Sequence, residues 1–170
     1  MLDFNNLDFS NICENWFLNF NDFLNDDKFN YDNLFYSESH WRDFVSITGD
    51  IITFTGIKNF NNTLRKNIIK QNARNFRVDT SRTPPREVVR AGEKVIEAIF
   101  SFKTKEGIGE GVLRLMPSKK NPTHFKCWSI STSLKELNLK KVSSKASTIR
   151  DFKAPNWLDI RNFEKSYIDR

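Results

Sequence analysis

The 170-residue sequence predicts an α+β fold, with a curved antiparallel sheet wrapped around N-terminal helices. Three observations predict it. Apolar residues in the first third recur every three or four positions, the helical period. From about residue 76 onward the apolar runs alternate at period two and are separated by turn residues. Helices therefore precede strands in one block, the segregated order of α+β proteins rather than the alternation of parallel α/β proteins. Phenylalanine alone supplies 16 residues, ample material for a packed core.

Each element follows from local pattern. Phe9, Cys13, Trp16, Phe20 and Leu24 mark an amphipathic helix, with Ser10 or Asn11 near its cap. A second, shorter helical piece is expected over Tyr31 to Tyr36. From Trp41 the run WRDFVSIT reads as a strand, Gly49-Asp50 as a turn, and IITF as a return strand. Gly56 releases another helix, with Ile57, Phe60, Leu64 and Ile68 on its inner face and Lys58, Arg65, Lys66 and Lys70 outward. Phe76 to Asp79 is a short strand, and TSRTPPRE a loop fixed by Pro84 and Pro85. Three longer strands follow at Lys94 to Thr104, Gly109 to Met116 and His124 to Leu134. The first two are joined tightly enough to form an antiparallel hairpin. Residues 140–153 read as a polar linker, and PNWLDIRNFEKSYIDR as a short helix capped by Asn156. The expected organisation is a domain over 1–139 and a linker with a docking tail over 140–170.

Composition narrows the function classes. No apolar run approaches the roughly 20 residues of a membrane span, so no membrane role is expected. The opening MLDFNNLDFS has acids and asparagines where a secretory leader needs a basic flank and an apolar stretch. Two cysteines, Cys13 and Cys127, are too few for a disulfide scaffold, so a cytoplasmic location is expected. Residues 1–50 carry two basic and ten acidic residues, a net of −8. The rest carry 25 basic and 11 acidic residues, a net of +14. That split suits two oppositely charged parts folding against each other, or a surface for single-stranded nucleic acid. The bases are scattered and no basic-Gly-aromatic run is present, so nucleic acid ranks third among the readings.

Candidate chemistry is sparse. Gly107-Ile108-Gly109-Glu110-Gly111 lacks the spacing of a phosphate loop and reads as a hairpin turn. His124 and Cys127 fall on opposite faces of a strand, so no metal centre is expected. Asp43 shares a strand face with Trp41, Val45 and Ile47. It and Asp50 are the weak candidates for a general base in a pocket, against the blander alternative that Asp43 pairs with an arginine such as Arg114. Trp41, Asp43, Arg114, Trp128, Ile130 and Thr132 are the pocket candidates, with Trp128, Ile130, Thr132 and Leu134 on one face of the last strand. A small apolar ligand would suit such a pocket.

Three blocks stand out: HWRDFVSITGDIITFTG at 40–56, EGIGEGVLRLMP at 106–117 with FKCWSISTSLKEL at 125–137, and PNWLDIRNFE at 155–164. In this order and spacing they resemble the N-terminal region of flavin-dependent monooxygenases from fungi and bacteria. The resemblance implies a nuclear-transport-factor-like (cystatin-like, SnoaL-like) α+β cone over nearly the whole chain. Two departures are visible: Gly49 before Asp50 where that group has a second Trp, and no GxGxxG fingerprint up to Arg170. What the resemblance implies is therefore an accessory module without its own cofactor, FAD and NADPH belonging to a full-length relative. Trp157, Leu158, Asp159 and Phe163 would then dock on a flavin domain or on a second copy of the chain. The alternative is a stand-alone small-molecule-binding or isomerase-like protein using the cone pocket.

Overall fold

The computed structural model describes residues 4–25, 31–57, 63–138 and 156–168. Its packing divides into two units, Met1–Asn138 and Leu139–Arg170. In the first unit, helix α1 (Phe9–Asn25) buries Cys13, Trp16, Phe17, Phe20 and Phe23 along one face, the stripe its periodicity requires. Its cap is Asp8 rather than Ser10 or Asn11: the Asp8 carboxylate accepts from the Asn11 amide three residues on. The strands are β1 (Phe35–Phe44), β2 (Ile51–Thr55), β3 (Arg74–Val78), β4 (Arg86–Arg90), β5 (Glu93–Lys103), β6 (Gly107–Pro117) and β7 (Phe125–Leu137). Helix α2 (Arg65–Lys70) lies between β2 and β3, with Leu64 and Ile68 buried. Phe60 and Lys58 of the expected longer helix lie outside the described residues.

The sheet order is β2-β1-β7-β6-β5-β3, with β4 also paired to β5. Every contact is antiparallel except β1 with β7, which run parallel, so the sheet is mixed rather than purely antiparallel. It is open and strongly curved, as a single ring shows. β1 and β3 are four strand spacings apart, about 19 Å in a flat sheet. Yet Phe20 of α1 touches Trp41 of β1 at 5.9 Å and Phe76 of β3 at 5.1 Å. The sheet therefore curls around α1. Trp16, Phe35, Phe17, Phe100 and Phe102 complete an aromatic core in which each fully buried ring contributes about 1.5–3 kcal/mol.

Several local expectations are corrected. Tyr31–Asn33 is only a 3-10 turn, and β1 begins at Phe35, not Trp41. The reason is pairing: the Leu34 carbonyl accepts from the Cys127 amide of β7 and from the Trp16 indole, which draws this segment into the sheet. β1 also ends at Phe44 instead of Thr48, because the Asp43 carboxylate folds residues 45–50 back on themselves. The last two residues of the loop expected at 80–87, Arg86 and Glu87, and the three after them form β4. Glycines 107, 109 and 111 begin strand β6, and the turn itself is Thr104–Glu106. There the Gly107 amide donates to the Thr104 hydroxyl. The oppositely charged parts do pack together, but through aromatic contacts. Between described residues the ion pairs lie within the basic part, such as Arg82–Glu110 and Lys94–Glu87.

In the second unit, α3 (Trp157–Ile168) is capped as the sequence predicts. The Asn156 side chain accepts from the Leu158 and Asp159 amides, and the Asp159 carboxylate accepts from the Asn156 amide. The linker expected at 140–153 lies outside the described residues. No described helix is long and apolar enough to cross a membrane.

Candidate functional site

Asp43 is fully buried and its two oxygens receive five donors. Oδ1 accepts from the hydroxyls of Ser46 and Thr132, and Oδ2 from the Ile47 and Thr48 amides and the Thr48 hydroxyl. Thr132 in turn accepts from the Trp41 indole at 3.0 Å. The carboxylate is thus a brace that closes the 45–50 turn against β7, with its lone pairs engaged. Its expected partner Arg114 lies elsewhere, on Glu97 at 2.9 Å. Asp50 is exposed and its Oδ1 accepts from the Ile51 amide, which shapes the same turn.

Of the six pocket candidates, the fold brings together Trp41, Asp43, Ile130 and Thr132 on the inner face of β1 and β7. Trp41 packs on Phe20 and Phe35, so this region is solid core rather than a cavity. Arg114 is on the opposite face. Trp128 is the extra residue of a β-bulge, where β7 advances from Cys127 to Ser129 while β6 retreats only from Leu115 to Arg114. The bulge makes Cys127, not Trp128, the inner neighbour of Ile130, a register change that strict alternation could not reveal.

A concave feature of the unit lies at the other edge, between α1 and β3. A cleft of about 430 Å³ is lined by the buried Phe17, Phe76 and Val78 below, and by the exposed Leu18 with Glu14, Asn21, Arg77, Asp79, Thr80 and Ser101 around its rim. Asn21 organises it. The Asn21 amide nitrogen donates to the Phe76 carbonyl at 2.8 Å, and its oxygen accepts from the Phe76 amide at 3.1 Å. One side chain thereby satisfies both backbone groups that the edge strand would otherwise present there. Asn75 has a positive φ of 58°, and β3 is irregular between Arg74 and Arg77. Asp79 at the rim accepts from the Ser81 hydroxyl and amide. That hydroxyl hydrogen bond, aided by Lys135 and Arg82, outweighs burial and holds the carboxyl below its ordinary 3.8. The sequence showed the short strand at 76–79 but nothing that joined it to Asn21, 55 residues away.

Comparison with known proteins finds no matching protein-family model and no matching curated protein. Among solved structures, nuclear transport factor 2 from Cryptosporidium parvum is similar, with 13% identity, a TM-score of 0.45, and coverage of 75% of this chain and 94% of that chain. The architecture here is defined by its own strand order and burial.

The tail residues Trp157, Leu158 and Phe163 are 69%, 55% and 64% exposed, and Arg161 lies over the Trp157 ring at 5.2 Å. Both cysteines are buried thiols. Burial, with the nearby Glu14 charge, pushes Cys13 up to about 12, and burial raises Cys127 well above its ordinary value.

Proposed function

We propose that residues 1–138 act as a binding module for a small amphiphilic molecule held in the cleft between α1 and β3. The observation that carries this reading is the cleft's construction. An apolar floor of Phe17, Phe76 and Val78, with Leu18 exposed at its edge, lies beside the charged side chains of Glu14, Arg77 and Asp79. Two carboxylates against one guanidinium favour a ligand with an aromatic or aliphatic body and a cationic end. Asp79 serves this reading as an anchor for a cationic end, because its hydrogen bonds to Ser81 hold the carboxyl in place at the rim and below its ordinary pKa. Two buried thiols suit a reducing cytoplasm.

Amide NMR spectra recorded with added phenethylamine-type amines, and in parallel with aromatic carboxylates, test this. The amines should shift the Leu18, Asn21, Arg77, Thr80 and Ser101 signals, and Asp79→Asn should weaken the response. Shifts confined to other regions, or equal responses to both charge types, would count against the cleft.

A second reading is favoured by α3, whose capped helix presents Trp157, Leu158 and Phe163 outward. On this reading the helix docks on a flavin-dependent oxidoreductase domain or on a second copy of the chain. FAD and NADPH then belong to the partner, and the purified chain takes up neither. Stoichiometric flavin binding to the isolated chain in calorimetry would count against it.

A further inference from the structure

The outer face of the sheet, opposite α1, carries a cluster that the cleft does not use. Glu97 of β5 is buried, with its side chain 8% exposed, and it accepts from three arginines on two neighbouring strands. Arg86 of β4 donates from Nη2 to Oε1 at 3.2 Å. Arg90 of β4 donates to both oxygens, from Nη2 at 3.0 Å and from Nε at 3.1 Å. Arg114 of β6 donates from Nε to Oε2 at 2.9 Å. Strand register explains the convergence: Arg86 and Arg114 stand directly opposite Glu97 from either side, and Ser129 of β7 is next to Arg114 in the same row. Burial pushes the Glu97 carboxyl up, but the hydrogen bonds from Arg114 and Arg90 outweigh it and hold it below its ordinary 4.5.

Three guanidiniums on one carboxylate carry two positive charges more than it does. The neighbouring carboxylates are engaged elsewhere, Glu87 with Lys94 at 2.7 Å and Glu110 with Arg82 at 3.2 Å. Glu93, directly opposite Arg90, is exposed and offsets part of this charge without an ion pair among the described residues. Arg86 retains Nε and Nη1, and Arg114 retains both Nη atoms, without a hydrogen-bond partner among the described residues. A phosphate would accept from these remaining N–H groups, since the nitrogens turned to Glu97 are already engaged. Planar guanidiniums fixed by a buried carboxylate are pre-oriented donors of the kind that recognises tetrahedral anions.

We infer that Arg86, Arg90 and Arg114 form a binding site for a phosphate monoester, with Glu97 as the positioning residue that holds the guanidiniums and Ser129 at its border. The site lies outside the cleft and is independent of what the cleft binds. The test is calorimetry with inorganic phosphate in one arm and glycerol 3-phosphate in the other, with sulfate as a control. Arginine side-chain NMR signals report the location. Dissociation constants of about 1 mM or tighter are expected, with shifts at the Arg86 and Arg114 guanidiniums. Preference for the ester over inorganic phosphate marks a phosphorylated metabolite, and equal affinity marks free phosphate. Arg86→Gln should weaken binding about tenfold, and it leaves Arg90 and Arg114 to hold Glu97 should Arg114→Gln fail to fold. No binding of either probe, binding unchanged in Arg86→Gln, or equal binding of sulfate overturns the proposal.

Discussion

Gly109 offers a measurement of how tightly β6 is fitted to the aromatic core. It stands opposite Phe102 on β5, and the Phe102 ring lies across it. A Cβ at Gly109 would sit 2.1 Å from Phe102 Cζ, where ordinary carbon contacts are about 3.5–4.0 Å. The ring would have to retreat by about 1.5 Å. It has nowhere to go, since it is 1% exposed, stacked on Phe76 at 4.8 Å with 7° between planes, and flanked by Phe100 at 6.0 Å. Overpacking of this kind costs about 1–3 kcal/mol, and the lower backbone entropy of alanine offsets about 0.5–1 of that. Gly109→Ala should therefore destabilise the unit by about 1–2 kcal/mol in urea unfolding followed by circular dichroism. The mechanism is isolated by a double-mutant cycle with Phe102→Leu, which removes the far end of the ring. The two substitutions together should cost less than their sum by about 1–2 kcal/mol. Additivity within about 0.5 kcal/mol would show that the ring is not what excludes a side chain at 109.

Val45 is a β-branched residue at φ 59°, half-exposed, in the turn that Asp43 closes. Asparagine tolerates that conformation, so Val45→Asn should raise stability by about 1 kcal/mol in the same urea assay, and no gain would refute the strain. Cys13 and Cys127 should resist a thiol reagent at pH 8 in native protein and both react in denaturant, in a colorimetric thiol titration. Rapid native labelling of either would contradict their burial. Because the folded Glu97 carboxyl titrates below its ordinary 4.5, its contribution to stability is complete above that value and is lost as pH falls through the folded one. The stability gap between wild type and Glu97→Gln should accordingly stay constant from neutral pH down to about pH 5 and shrink below it. A gap that widens on acidification would reverse the assignment.

Much of the fold is legible in the sequence because it is written in local periods. The Phe9-Cys13-Trp16-Phe20 stripe specifies α1, and alternation specifies β5, β6 and β7 to within three residues at either end. Asn156 and Asp159 specify the start of α3, since a cap is satisfied by side chains within three residues. What the sequence could not carry is any feature made by residues that pair at a distance. The parallel contact of β1 with β7 joins segments about ninety positions apart. The bulge at Trp128 exists only because two neighbours advance at different rates, and it separates Trp128 from Trp41, Asp43, Ile130 and Thr132. Asp43 looked like a catalytic candidate because a carboxylate among apolar neighbours has no local explanation. Its explanation is Thr132, 89 residues away, and the turn it closes. Likewise β4 is too short and too charged to stand out alone. It becomes a strand, and its arginines become a cluster, only when β5 sets Glu97 beside them. Periodicity fixes elements because it depends on nearest neighbours along the chain, whereas sites depend on register between strands, which only the assembled sheet determines.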